Sequence, residues 1–133
     1  MKVLQISTVC GSGSVGRITV DIYHTLKSCG DEGLIAYGRR QAPEGVEAFR
    51  FGSDLDMGFH VLSTFFRGEH GFASTGQTRK LIEKIREWDP DVIHLHNIHG
   101  FILQVEELFS YLKQAGKPVV WTLHDCWPYT GHC

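Results

Sequence analysis

A chain of 133 residues with 42% hydrophobic and 21% charged residues is long enough to bury one core and too apolar for a disordered segment. Its 13 basic and 15 acidic residues leave a formal charge of −2, which argues against the broad basic field of a nucleic-acid partner. No apolar run approaches the ~20 residues of a membrane span, and "MKVLQISTVCGSGS" reads as a buried first strand rather than a signal peptide, so a cytoplasmic protein is expected. Cys10, Cys29, Cys126 and Cys133 are scattered without a C-x-x-C pair, and free thiols are the expectation.

Short β-type runs alternate with helical patterns along the chain. "KVLQIS" (2–7) predicts a strand, and a glycine loop follows it. A helix is expected from Gly16 to about Ser28, with Ile18, Ile22, Leu26 and Cys29 on one face and Gly30 as its left-handed stop. "GLIAYG" (33–38) predicts the second strand, and a short strand is expected around Glu47–Phe51. "MGFHVLSTFF" (57–66) has the look of a short aromatic helix, and "GEHGFAST" (68–75) of a turn. Ser74 or Thr75 is placed to cap a helix over Gln77–Trp88, with Leu81, Ile82, Ile85 and Trp88 buried. A strand follows within "DPDVIHLH" (89–96). "LQVEELFSYLKQAG" (103–116) then predicts a helix burying Val105, Leu108, Phe109 and Leu112. "KPVVWTLHD" (117–125) predicts a last strand with its apolar core at Val119–Leu123. Apolar strands between amphipathic helices imply an α/β fold: one Rossmann-like domain over 1–133, a parallel sheet with helices on both faces. Ligands of such sheets gather at the C-terminal strand ends. The glycine loop, "HLHNIHG" and "LHDCWPYTGHC" all fall there.

The loop "CGSGSVGR" (10–17) has the G-x-G-x-x-G spacing, whose glycines and following helix N-terminus suit a phosphate. Three features count against a dinucleotide. "TVC" separates the predicted strand from the first glycine, no acidic residue ends the second strand, and no hydride-transfer partner site is evident. Arg39 and Arg40 keep an NADP-binding domain open. A plain tight turn and another phosphate or sugar ligand are the other readings.

His94 and His96 share one strand face, with Leu95 on the other. A satisfied interior histidine is expected at 94, and a site at 96 and 124, which sit at strand ends. A ring nitrogen and the Asp125 carboxylate there suit a polyhydroxylated substrate. Trp127 and Tyr129 offer either a stacking platform or simple packing. A zinc site from His96, His124, Asp125 and Cys126 or Cys133 matches no known ligand spacing, and no metal is expected.

Gly16–Arg17 after the first strand, "PDVIHLHN" in the middle and "KPVVWTLHDCWPYTGHC" at the end occur in this order and spacing. Together they resemble the N-terminal domain of a family 4 glycosyltransferase, of the retaining GT-B group and of the bacterial capsular or surface-polysaccharide type. The resemblance spans essentially the whole chain. It implies transfer of a hexosyl group from a nucleotide-sugar to a glycan or lipid-linked acceptor in polysaccharide biosynthesis. It implies no cofactor or obligatory metal, and a location in the cytoplasm or peripherally at the inner face of the plasma membrane. It also implies that the C-terminal donor-binding domain is missing here, so that these residues alone are expected to be inactive; a non-catalytic glycan- or acceptor-binding fragment is the alternative. His96 and His124 are the carried-over catalytic candidates. Gly13, Gly16, Arg17, Asn97, Asp125 and Trp127 are the substrate-binding ones. Alanine at 96 or 124 is expected to impair turnover far more than folding.

Overall fold

The computed structural model describes residues 1–52, 75–99 and 103–130. The helix expected over 57–66 and most of the turn at 68–75 lie outside them. Five strands form one parallel sheet, β1 (Lys2–Val9), β2 (Glu32–Arg39), β3 (Ala48–Arg50), β4 (Val92–Leu95) and β5 (Val119–Trp121). Their spatial order is β3-β2-β1-β4-β5. The chain thus builds outward from β1 in one direction and then in the other. The helices among the described residues are α1 (Gly13–Ser28), α2 (Thr75–Trp88), α3 (Val105–Ala115) and α4 (Trp127–Thr130). The expected Rossmann-like α/β domain is the observed one.

Alternation along the strands sorts the two faces. Leu4, Ile6, Leu34, Ala36, Ile93 and Leu95 pack with Leu81 and Ile85 of α2 and with Leu108 and Leu112 of α3. Ile35 and Tyr37, on the opposite pleat, pack with Tyr23 of α1. Removing apolar side chains of this size from water contributes roughly 1.5–3 kcal/mol each. Gly116 ends α3 at φ 61°, and Gly30 follows α1 at φ 81°, as their left-handed stops require.

Four details differ from the sequence reading. The first strand runs on to Val9 and α1 begins at Gly13, so Cys10 alone separates the strand from Gly11 and the loop is tight. The buried stripe of α1 is Gly16, Thr19 and Tyr23, while Ile18 is 39% exposed and Cys29 lies in solvent. Close approach explains this choice. A Cβ on Gly16 would sit 3.0 Å from the Gly11 nitrogen, and one on Gly33 would sit 2.9 Å from the Tyr23 ring, so these glycines draw the helix down on that side. Phe109 is 37% exposed and leans on Trp121 instead of entering the core. Finally, β5 is three residues long, and Val119, Val120 and Leu123 are exposed, because β5 pairs with β4 alone among the described strands. Among the described residues Cys10, Cys29 and Cys126 are free thiols; Cys133 lies outside them.

The α1 contact supplies a test. In Gly16→Ala the added methyl meets backbone that cannot yield, and a loss of ~1–3 kcal/mol in urea unfolding is expected. Wild-type stability would show that the loop and helix do not pack this closely.

Candidate functional site

Strand order reverses between β1 and β4, where the connections leaving the two strands run to opposite sides and leave a crevice. The end of β1 is tied there to the loop that leaves β4. Thr8 N–H donates to the Asn97 carbonyl at 2.8 Å, and the Thr8 hydroxyl lies 2.9 and 3.1 Å from the carbonyl oxygens of Asn97 and His99. Across the crevice, Gly11 N–H donates to the Gly16 carbonyl at 2.8 Å, which folds the glycine loop back on the first turn of α1. The result is an open groove of about 270 Å³, lined among others by Thr8, Ser12, Gly13, Arg39, Asn97 and His99.

The groove has an electropositive floor. Ser12 caps α1 without a side-chain hydrogen bond, and no acidic residue occupies its first turn, so the partial positive charge of the helix end is not neutralised locally. Arg39 adds a full charge. Its Nε is buried without a hydrogen-bond partner among the described residues, and burial pushes the pKa of the guanidinium below its ordinary value. Arg17, carried over as a binding residue, is exposed and turned back along its own helix, where Nε donates to the Gly13 carbonyl at 3.3 Å. Arg39 rather than Arg17 lines the groove, because the β1–β2 register sets it beside Val9, where β1 leads into the glycine loop.

Next to the groove, Asn97 and His99 also form the wall of a compact cluster with His96, Trp121, His124, Asp125 and Trp127 that has no room for a water molecule. His96 and His124 stack at 5.3 Å between ring centroids, with His96 Nδ1 3.0 Å from His124 Nε2. The other nitrogen of His96, Nε2, lies 3.1 Å from Gln5 Oε1. His96 is 1% exposed. With both ring nitrogens engaged inside the protein it has no atom to offer a substrate or a metal. His96, expected beside His124 as a catalytic residue, is sealed here and supports His124, which is half-buried. Among the described residues, no three of His, Cys, Asp and Glu gather as a metal site.

His94 is satisfied, as expected, though only half-buried: its Nε2 lies 2.8 Å from the Thr122 hydroxyl. Asp125 accepts from His99 Nε2 at 2.7 Å and from the Trp127 N–H at 3.0 Å. Burial works against the carboxylate, yet these two hydrogen bonds hold its pKa below the usual value. Trp127 stacks on His99 at 5.2 Å, so one of its faces is already taken, while Tyr129 is 78% exposed. Gly16 closes the loop and Gly13 lines the groove. Sequence reasoning missed Thr8, Gln5 and His99 as parts of the site. His99, five residues beyond His94 in a histidine-rich loop, was the one with a visible signal.

Burial, with His94 and His124 adding to it, lowers the pKa of His96 from 6.5 to about 3. The unfolded chain therefore takes up a proton near pH 6.5 that the folded chain refuses until about pH 3. A group depressed in this way contributes stability that is present above the unfolded value and is lost as the pH falls through this window. Urea unfolding followed from neutral pH to about pH 4 should show this loss, and His96→Gln should remove ~1 proton from its slope. His96→Ala should itself cost ~2–4 kcal/mol, since it opens a cavity and strands Gln5 Oε1. His124→Ala, at a half-buried position, should cost ~1 kcal/mol or less. Equal costs for the two would remove the distinction between a buried support and an accessible ring.

Comparison with curated proteins finds no match. A protein-family model does match, over residues 15–132, which takes in α1 from Val15 onward, the Asn97–His99 loop and the His124–Trp127 segment. By that match, together with the parallel Rossmann-like sheet and the strand-end groove, the chain belongs to Glycosyltransferase Family 4.

Proposed function

We propose that this chain forms the acceptor-side wall of a cleft in which a hexosyl group passes from a nucleotide-sugar to a glycan or lipid-linked acceptor, with retention, during assembly of a bacterial surface polysaccharide. Family membership supports the reaction class. The observation that carries the reading is a strand-end groove lined by the start of α1 and by Arg39, whose buried Nε has no partner among the described residues, adjoining through Asn97 and His99 the cluster that holds the half-buried His124.

The chemistry follows from charge. Breaking the bond between the anomeric carbon and the diphosphate leaves negative charge on the departing oxygen. The end of α1 and Arg39 offer preorganised positive charge, so no divalent metal is obligatory in this reading. His124 orients a sugar hydroxyl, and Asn97 and the His99–Asp125 pair shape the adjoining wall. A second domain facing the strand ends would supply most nucleotide contacts. A lipid-linked acceptor would bring the protein to the inner face of the membrane; among the described residues no helix is long and apolar enough to cross it.

Transfer from radiolabelled nucleotide-sugars, with the donor-binding domain present, tests the proposal. His124→Ala should lower kcat ~100-fold, the scale of one lost transition-state hydrogen bond. Arg39→Ala should raise the donor KM ~10-fold or more. Wild-type kinetics in both variants would overturn the assignment. Arg39 also keeps the dinucleotide reading open. Saturable NADPH quenching of Trp121 or Trp127 fluorescence, without nucleotide-sugar binding, would favour it.

A further inference from the structure

His124 does not stand alone beneath the cleft. From it a line of buried groups runs through the sheet to α1. His124 Nε2 lies 3.0 Å from His96 Nδ1, His96 Nε2 lies 3.1 Å from Gln5 Oε1, and Gln5 Nε2 donates to the Thr19 carbonyl at 3.0 Å. Gln5 and His96 are fully buried, at 0% and 1% exposure. Thr19 is anchored in turn, its hydroxyl donating to the Gly16 carbonyl at 2.8 Å.

Donor and acceptor roles along this line are forced from its far end. A carbonyl oxygen only accepts, so the Gln5 group facing Thr19 is the NH₂, and its oxygen faces His96. An amide oxygen also only accepts, so His96 carries its proton on Nε2. The neutral ring then has a lone pair on Nδ1, so the facing nitrogen of His124, Nε2, must be the one that donates. In the neutral ring that leaves Nδ1 of His124 as an acceptor, and no described residue engages it. The contrast with His94 is informative. Its partner is the Thr122 hydroxyl, which can donate or accept and so imposes no tautomer.

We propose that Gln5, acting through His96, fixes His124 as the Nε2–H tautomer, so that its Nδ1 accepts a hydrogen bond from a sugar hydroxyl in the cleft. This rests on the placement of His124 in the transfer site given above. Gln5 and His96 are positioning residues, and the ligand feature they select at this point is a hydroxyl rather than a carbonyl or carboxylate oxygen, which would meet the Nδ1 lone pair with its own. The device also explains why an amide is buried at position 5, in the middle of the central strand, where an apolar residue would pack at lower cost.

Long-range ¹H–¹⁵N correlation spectra of the histidine-labelled chain at neutral pH test the tautomers directly. Both His96 and His124 should show a protonated Nε2 and a bare Nδ1. Gln5→Met, close in shape but without the amide, should reduce the ratio of Nε2–H to Nδ1–H at His124 ~5-fold, the scale of one net hydrogen bond. In the transfer assay kcat should fall in step with that Nε2–H population, with the donor KM unmoved. Gln5→Glu keeps an acceptor facing His96 and should hold both the tautomer and most of kcat. A wild-type spectrum with Nδ1–H at either ring overturns the proposal, whether or not Gln5→Met folds. So does a Gln5→Met ratio equal to the wild type, or a shifted ratio with unchanged kcat. Absence of transfer by the wild type would instead count against the proposed function, while the spectra would still decide the tautomers.

Discussion

The central position of β1 is the constraint from which the site follows. Paired on one side with β2 and on the other with β4, it forces the loops at its end and at the end of β4 to part. The glycine loop leads into α1 and on to β2 on one side, while the Asn97–His99 loop leaves β4 on the other. Polar backbone exposed by that divergence has to be satisfied, and Thr8 does so for the carbonyls of Asn97 and His99. The groove with Gly13 and Arg39 on its walls is the space left over. In doubly wound sheets a ligand lodges there because it is the one strand-end position that no connecting loop covers.

The two faces of the sheet bear different loads. Under α2 and α3 the core is apolar, with Leu4, Ile6, Ile93 and Leu95 completely buried. On the face toward α1, β1 carries Gln5 and the residue just after β4 is His96, and their stability depends on complete hydrogen bonding. A buried polar line of this kind is strong only while every member has a partner, because the low dielectric that strengthens each bond also raises the penalty for a broken one. That dependence is what makes the line able to hold His124 in one orientation. Flexible surface chemistry could not do so.

Much of the architecture was legible in the sequence. The five strands and three helices follow from alternating apolar runs and 3.6-residue stripes, with Gly30 and Gly116 as stops; the helices expected over 16–28, 77–88 and 103–116 form over 13–28, 75–88 and 105–115. The errors have a common cause. Apolar periodicity puts Ile18 in the core and leaves Thr19 out, because it is blind to the close approach that Gly16 and Gly33 allow on one side of α1. Val119, Val120 and Leu123 read as a buried strand because local sequence does not say whether another strand lies alongside.

The sequence by itself determined the fold class and the strand ends where chemistry gathers, since both follow from local periodicity and from where histidines and glycines interrupt it. It also singled out positions 96 and 124. Only the tertiary structure decided which imidazole is sealed and which is accessible, that Arg39 rather than Arg17 faces the groove, and that Gln5, 91 residues before His96, is its partner. The reason is that burial and hydrogen-bond pairing are properties of neighbours in space. Neighbours brought together by parallel strands are far apart along the chain.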